Sequence, residues 1–368
     1  MTNKSQIIAY YLPQYHPFKE NDEWWGKGFT EWTNVGKAEP LFKGHNQPRV
    51  PTELGYYDLR LPIVREQQAE LAREAGVDGF CYWHYWFGGE GRQLMNSIID
   101  EVAATGKPDF PFCLGWANES WKSKQWNKDG SGDVVLMEQR YDGESDYRLH
   151  YEYAKGLFLN KNYVRIEGNP FFLIYKPFDS PEIRRIIDLW NKWIKEDGLA
   201  DRVYFVASVD KESQKEECIR MGFEAVVPAH RQRVQWSFER KSRWLRGITR
   251  LIHKIRVAPM RFNMQTVNQY IPREEFDSQE DTIAFLLPQW DHTPRSGAKG
   301  YLTTGSTPEL FQEQAEAVLR MVQKKKNKLI ILKSWNEWAE GNYMEPDILN
   351  GKGFIYALKK AIENVESR

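Results

Sequence analysis

The chain has 368 residues, 51 basic and 51 acidic, and three cysteines. Zero net charge excludes recruitment to nucleic acid by bulk electrostatics, and the length is enough to bury a core without metals or disulfides. The cysteines are odd in number and form no Cys-x-x-Cys pair; Cys81 and Cys113 lie inside apolar runs, as small core residues of a reducing compartment do.

The N-terminal residues lead straight into a strand predicted over 7–12, with no signal-peptide pattern. No apolar run reaches transmembrane length, so a cytoplasmic location is expected. The first strand ends in Pro13-Gln14-Tyr15-His16-Pro17, where an open dinucleotide-binding sheet would carry a Gly-rich phosphate loop. Residues 18–61 form a long insertion rich in Gly, Pro and Trp, and barrel loops of that length shape sites. A helix over 63–75 opens after Pro62 and is followed by a strand over 79–85. Next come a helix over 93–104 ending at Gly106, a strand over 110–116 and a helix over 147–159. Strands are expected over 171–175, 203–208 and 225–228, separated by helices over 181–195 and 216–221 that stop at Gly198 and Gly222. The C-terminal quarter reads as a strand over 284–287, a helix over 308–325, a strand over 329–333 and a helix over 354–365. Eight strands alternating with helices predict a single (β/α)8 TIM barrel over 1–368 with long βα-loop insertions.

Residues 231–261 carry ten Lys or Arg against one acid, Glu239. Trp244, Leu245, Ile248, Leu251, Ile252 and Ile255 share one face of a helix there, with Arg243, Arg246, Arg250 and Lys254 around it. Two readings stay open: an insertion helix packed on the barrel, or a basic amphipathic helix in peripheral contact with an anionic membrane surface.

Fifteen Trp, 18 Tyr and 19 Phe make 14% of the chain, although the hydrophobic total is an ordinary 41%. Many of these rings sit beside polar residues at strand ends, an arrangement that grips sugars by stacking on one face and hydrogen-bonding the hydroxyl edge. On that ground Tyr10, Tyr11, Gln14, Glu31, Trp32, Trp83, His84, Trp116, Asn118, Glu119, Tyr175, Trp290, Trp335, Asn336 and Glu345 are substrate-binding candidates. Each strand also has residues that point away from the mouth, which is the structural reading for any one of them. Glu337 and Glu340 are the catalytic candidates, set in Ser334-Trp335-Asn336-Glu337-Trp338-Ala339-Glu340-Gly341 directly after a strand. Glycoside cleavage needs such a pair, one carboxyl giving a proton while the other stays ionised. The bland alternative is two solvated loop carboxylates. His16 and His84 have no metal-ligand spacing, so neither metal nor cofactor is expected.

Ile8-Ala9-Tyr10-Tyr11-Leu12-Pro13-Gln14-Tyr15-His16-Pro17 and Gly28-Phe29-Thr30-Glu31-Trp32-Thr33-Asn34-Val35 resemble the opening of glycoside hydrolase family 99-like proteins, also called the WbsX family of bacterial polysaccharide biosynthesis loci. Phe80-Cys81-Tyr82-Trp83-His84-Tyr85-Trp86, Trp116-Ala117-Asn118-Glu119, Trp335-Asn336-Glu337-Trp338-Ala339-Glu340-Gly341 and Glu345-Pro346 extend the resemblance along the chain. It implies a retaining barrel enzyme acting on α-mannoside-like linkages of a polysaccharide. Glu337 would deprotonate the substrate's own 2-hydroxyl to give a 1,2-anhydro sugar, and Glu340 would act as general acid/base. Ala339 stands where those hydrolases carry His. Two alternatives remain: a glycosyltransferase in O-antigen, lipopolysaccharide or capsule biosynthesis, and a non-catalytic glycan-binding barrel.

Overall fold

The computed structural model describes residues 4–366 except 124–133 and, within 240–257, all but Trp244, Gly247, Leu251, His253 and Ile255. Its frame is a ring of parallel strands: β1 (Gln6–Tyr11), β2 (Gly79–Trp86), β3 (Phe112–Trp116), β4 (Asn169–Ile174), β5 (Tyr204–Val209), β6 (Ala225–Pro228), β7 (Ala284–Leu286) and β8 (Leu329–Leu332). Neighbours pair in the order β6-β5-β4-β3-β2-β1-β8-β7. Val226 N donates to Asp281 O at 2.9 Å and Ile283 N to Val226 O at 2.8 Å, closing the ring. Strands covered on both faces carry no polar alternation, and β3 to β8 are buried at every residue.

A helix follows each strand: α1 (Pro62–Ala75), α2 (Ser97–Thr105), α3 (Glu144–Phe158), α4 (Glu182–Glu196), α5 (Lys215–Arg220), α6 (His230–Glu239), α7 (Pro308–Val322) and α8 (Gly353–Glu366). Helix α7 illustrates the local logic. Thr307 caps it by accepting from Leu310 N, Pro308 opens it, and Phe311, Ala315, Val318, Leu319 and Val322 line its buried face. Barrel class and strand placement agree with the sequence reading, while several boundaries differ. The helix expected over 93–104 begins only at Ser97. Gln93–Leu94 instead pairs antiparallel with Tyr85–Trp86, because Gly88, Gly89, Glu90 and Gly91 all adopt positive φ and reverse the chain. The helix expected to run to 325 stops at Val322.

Cys81 and Cys113 face each other in register across β2 and β3, and all three cysteines are buried and free. The insertion at 18–61 folds over the C-terminal mouth of the barrel. His45 Nε2 and Gln47 Nε2 each lie 2.8 Å from Asp291 Oδ2, and Tyr57 donates to Glu345 at 2.9 Å. The basic insertion begins as α6, which follows β6 directly, so its first residues belong to the barrel rim. Most of the amphipathic face expected at 244–255 lies outside the described residues; Trp244, Leu251 and Ile255 are described and exposed. Among the described residues no helix is long and apolar enough to cross a membrane.

Candidate active site

After β8 the chain makes a tight loop that sets the two candidate carboxylates side by side. Asn336–Glu337 pairs antiparallel with Asn342–Tyr343, and a single 3-10 turn, Trp338–Glu340, joins them. The Asn336 side chain clamps the loop to the end of β1, accepting from Leu12 N at 2.8 Å and donating to Leu12 O at 3.0 Å. Gly341 ends the turn at φ 54°, where a Cβ would lie 2.8 Å from that of Asp291, so the turn leaves no room for a side chain there.

Glu337 and Glu340 face a cavity of about 460 Å³ at the barrel mouth. Arg295, from the turn after β7, lies between them. One guanidinium nitrogen donates to Glu340 Oε1 at 2.6 Å, while the other is 3.1 Å from Glu337 Oε1 and 3.2 Å from Glu31 Oε2. Trp290 Nε1 approaches the second Glu340 oxygen at 3.4 Å, and His292 Nε2 lies 3.6 Å from the first. Three carboxyl groups thus share one guanidinium at the cavity wall.

Their proton affinities diverge. Burial pushes Glu337 well above the ordinary carboxylate value; the charges of Glu340 and Glu31 add to this while Arg295 opposes it. Burial also raises Glu31, against Arg295. For Glu340 burial is outweighed by His292, Arg295, Arg231 and His230, which take it down to about 2. Burial holds His230 at about 3 and lowers His292, so at neutral pH both rings are uncharged and the two arginines carry the effect. Of the two, Glu337 therefore has the higher proton affinity and Glu340 the lower.

Aromatic rings build the opposite wall. Tyr10 and Trp83 lie 4.8 Å apart, and Trp83 meets Tyr175 edge-on at 5.3 Å. The buried Tyr10 hydroxyl has no hydrogen-bond partner among the described residues. Beneath it, burial brings Lys333 down to about 7, and its ammonium donates to Pro228 O at 2.7 Å. Gln14, bonded to Tyr85 at 2.9 Å, and Glu119, raised by burial, also line the cavity.

The remaining candidates lie elsewhere. Tyr11 points outward and donates to Gln68 on α1 at 2.6 Å. His84 also points outward, stacked on Tyr153 and 2.9 Å from His150. Trp116 donates to Trp86 O, and Asn118 ties Tyr141 to the backbone of Lys176. Trp32 packs on Trp338 and donates to Tyr57 O, and Trp335 packs on Phe80. Alternation explains Tyr11, His84 and Trp116, since of two adjacent strand residues one faces the barrel interior and the other the helices; Trp32 lies on a short helix of the insertion, and Asn118 and Trp335 lie beyond strand ends.

Glu345 is a buried hub that accepts from Trp338 Nε1 (2.6 Å), Gln68 Nε2 (2.6 Å) and Tyr57 OH (2.9 Å). Burial raises it to about 7 despite these donors. A carboxyl whose folded pKa exceeds its unfolded value favours folding most at low pH, and that contribution fades as pH rises through about 7. Glu345→Ala is expected to cost about 3 kcal/mol by orphaning three buried donors. Urea unfolding at pH 5 and pH 8 should show the variant losing the wild type's decline with pH.

Arg295, Arg231, His230, His292, Lys333 and Asp210 also line the cavity, although no sequence motif singles them out. Position would have found four of them: Asp210, His230, Arg231 and Lys333 fall within three residues of a strand's end. Among the described residues no group of three His, Cys, Asp or Glu side chains is placed to hold a metal ion.

A family model described as "Glycosyltransferase WbsX" matches residues 7–358. Two proteins of Xanthomonas campestris pv. campestris, each named "Uncharacterized protein WxcX", are 32% identical over 98% of this chain and 50% of their own. The chain thus spans about half the length of these curated relatives. The solved GH99 endo-alpha-mannosidase from Bacteroides thetaiotaomicron superposes with a TM-score of 0.58 at 14% identity, covering 99% of both chains. A structure titled "Glycoside hydrolase-like protein" gives 0.57 at 11% identity over 98% of this chain and 94% of that one. These likenesses establish a shared barrel fold.

Proposed function

The chain belongs to the WbsX glycosyltransferase family, and from that premise we propose that it is a carbohydrate-active enzyme cleaving an α-mannoside-like linkage of a bacterial polysaccharide with retention. One observation carries the proposal: Glu337 and Glu340 share a guanidinium at an aromatic-walled barrel mouth, and their surroundings shift their proton affinities in opposite directions.

Glu337, whose proton affinity burial raises, gives a proton to the leaving glycosidic oxygen. Glu340 takes the proton of the substrate's 2-hydroxyl, whose oxygen attacks C1 to form a 1,2-anhydro sugar. Water then opens that ring; the Glu337 carboxylate removes its proton, and Glu340 returns a proton to O2. Two inversions leave net retention. The family 99 resemblance distributes the two roles in the opposite sense, whereas the electrostatics of the resting site favour Glu337 as the acid and Glu340 as the base.

The second reading is a glycosyltransferase in O-antigen, lipopolysaccharide or capsule assembly, favoured by the family's description. The same pair would then pass the sugar to an acceptor hydroxyl instead of water. Membrane contact through 231–261 would suit that setting. Mass spectrometry of α-mannans and bacterial polysaccharide repeats, incubated with the protein with and without GDP- or UDP-sugars, tests the choice. Shortened chains without nucleotide are the expected result. Lengthening only with a donor would give the transferase reading, and binding without any product would leave a non-catalytic glycan-binding barrel.

A further inference from the structure

Arg231, exposed in the first turn of α6, lines the main cavity and also a second compartment of about 210 Å³ beside it. The other arginine and the lysine on the main cavity's wall are partnered: Arg295 by three carboxylates, Lys333 by Pro228 O. Among the described residues no hydrogen-bond or ion-pair partner reaches the Arg231 guanidinium.

The second compartment has flat walls. Trp290 and Tyr301 lie nearly parallel, 11° between their planes at 6.4 Å, and Tyr301 is parallel to Phe262 within 18°. Phe262 and Tyr301 come from a parallel pair of strands, Met260–Asn263 and Tyr301–Thr304, set against α6. The compartment borders the reacting groups directly. Trp290 lines it and reaches Glu340 with its indole N–H, and His292 lines both spaces while lying 3.6 Å from the same carboxylate. A unit held there would adjoin a sugar at the catalytic pair, since the two spaces share Arg231, His292 and Ser296. Flat aromatic faces suit a pyranose ring, and an unpaired guanidinium at the junction suits a planar or tetrahedral oxyanion, which it can bind through two N–H groups at once.

We propose that this compartment takes a neighbouring unit bearing an oxyanion, either a uronic-acid carboxylate or a phosphate ester, which Arg231 reads, so that the substrate is an acidic glycan. The proposal deepens the glycan-processing reading and rests on it only for the identity of the adjoining unit. The anion meets a guanidinium that no carboxylate of the described residues contacts directly. This contact sets specificity and on-rate, and it weakens with added salt.

Isothermal titration calorimetry tests it by titrating wild type, Arg231→Gln and Arg231→Lys with glucuronic acid, glucose 1-phosphate and neutral glucose. Wild type is expected to bind at least one acidic probe about tenfold or more tightly than glucose, and the stronger one identifies the source of the anion. Arg231→Gln should bring that probe down to the level of glucose, and Arg231→Lys should regain part of the difference. Unchanged thermal midpoints check that both variants fold. Equal affinity for acidic and neutral probes, an acid preference that survives in Arg231→Gln, or no binding by any probe would overturn the proposal. Because the readout is binding, an absence of acid preference alongside glycan cleavage defeats this inference alone. Acid preference without cleavage defeats only the hydrolytic reading.

Discussion

Replacing Arg295 by methionine is expected to destabilise the protein by about 3–5 kcal/mol and to abolish turnover. The side chain is the shared counter-ion of Glu31, Glu337 and Glu340, and Glu31 is 1% exposed, so water cannot take over. Without the guanidinium all three carboxyls lose an interaction that opposes desolvation; the folded pKa values of Glu31 and Glu337 move further up, and that of Glu340 rises from its lowered position. The sign of the pH effect follows. A folded carboxyl with a raised pKa binds more protons than the unfolded chain between the two values, so stability falls as pH rises. The loss in Arg295→Met should therefore be smallest near pH 5 and grow towards pH 8. Urea unfolding at the two pH values measures it, and adding Glu31→Gln should recover part of the loss at pH 8. An identical loss at both pH values would mean that Arg295 acts by packing alone.

Glu337→Gln and Glu340→Gln are each expected to lower turnover by about 100- to 10,000-fold, with different rescue patterns. If Glu337 is the acid, an aryl glycoside whose leaving group departs without protonation should restore much of the rate to Glu337→Gln and little to Glu340→Gln. The fall of the wild-type rate at high pH should report deprotonation of Glu337, displaced upward by burial and by the Glu340 and Glu31 charges against Arg295, and should vanish in Glu337→Gln. Rescue of Glu340→Gln instead would restore the order that the family 99 resemblance implies.

The barrel was legible because β-rich apolar runs and Pro- and Gly-punctuated helices alternate from residue 7 to the end. The carboxylate loop was legible because two Glu three residues apart in a Trp-rich run follow such a strand. Which strand residues face the mouth was not. Tyr10 and Tyr11 are both nearly fully buried, so hydrophobicity carries no trace of the alternation that turns Tyr10 inward and Tyr11 towards α1. Arg295 was hidden for another reason. Its role depends on Glu31, which lies 264 positions earlier and reaches the site only because the 18–61 insertion folds back over the mouth and is pinned at Asp291. The late start of α2 was hidden because the apolar periodicity continues through Leu94, while the left-handed run from Gly88 to Gly91 commits that stretch to a hairpin.

One carboxylate pair is expected to break a glycosidic bond with water as the acceptor. The most direct test incubates wild type and the Glu337→Gln/Glu340→Gln double variant with the polysaccharide panel in water enriched in heavy oxygen, without nucleotide sugar. The expected result is a shortened glycan carrying one heavy oxygen at its new reducing end with wild type, and none with the double variant. Equal heavy-oxygen incorporation by the double variant would contradict the account.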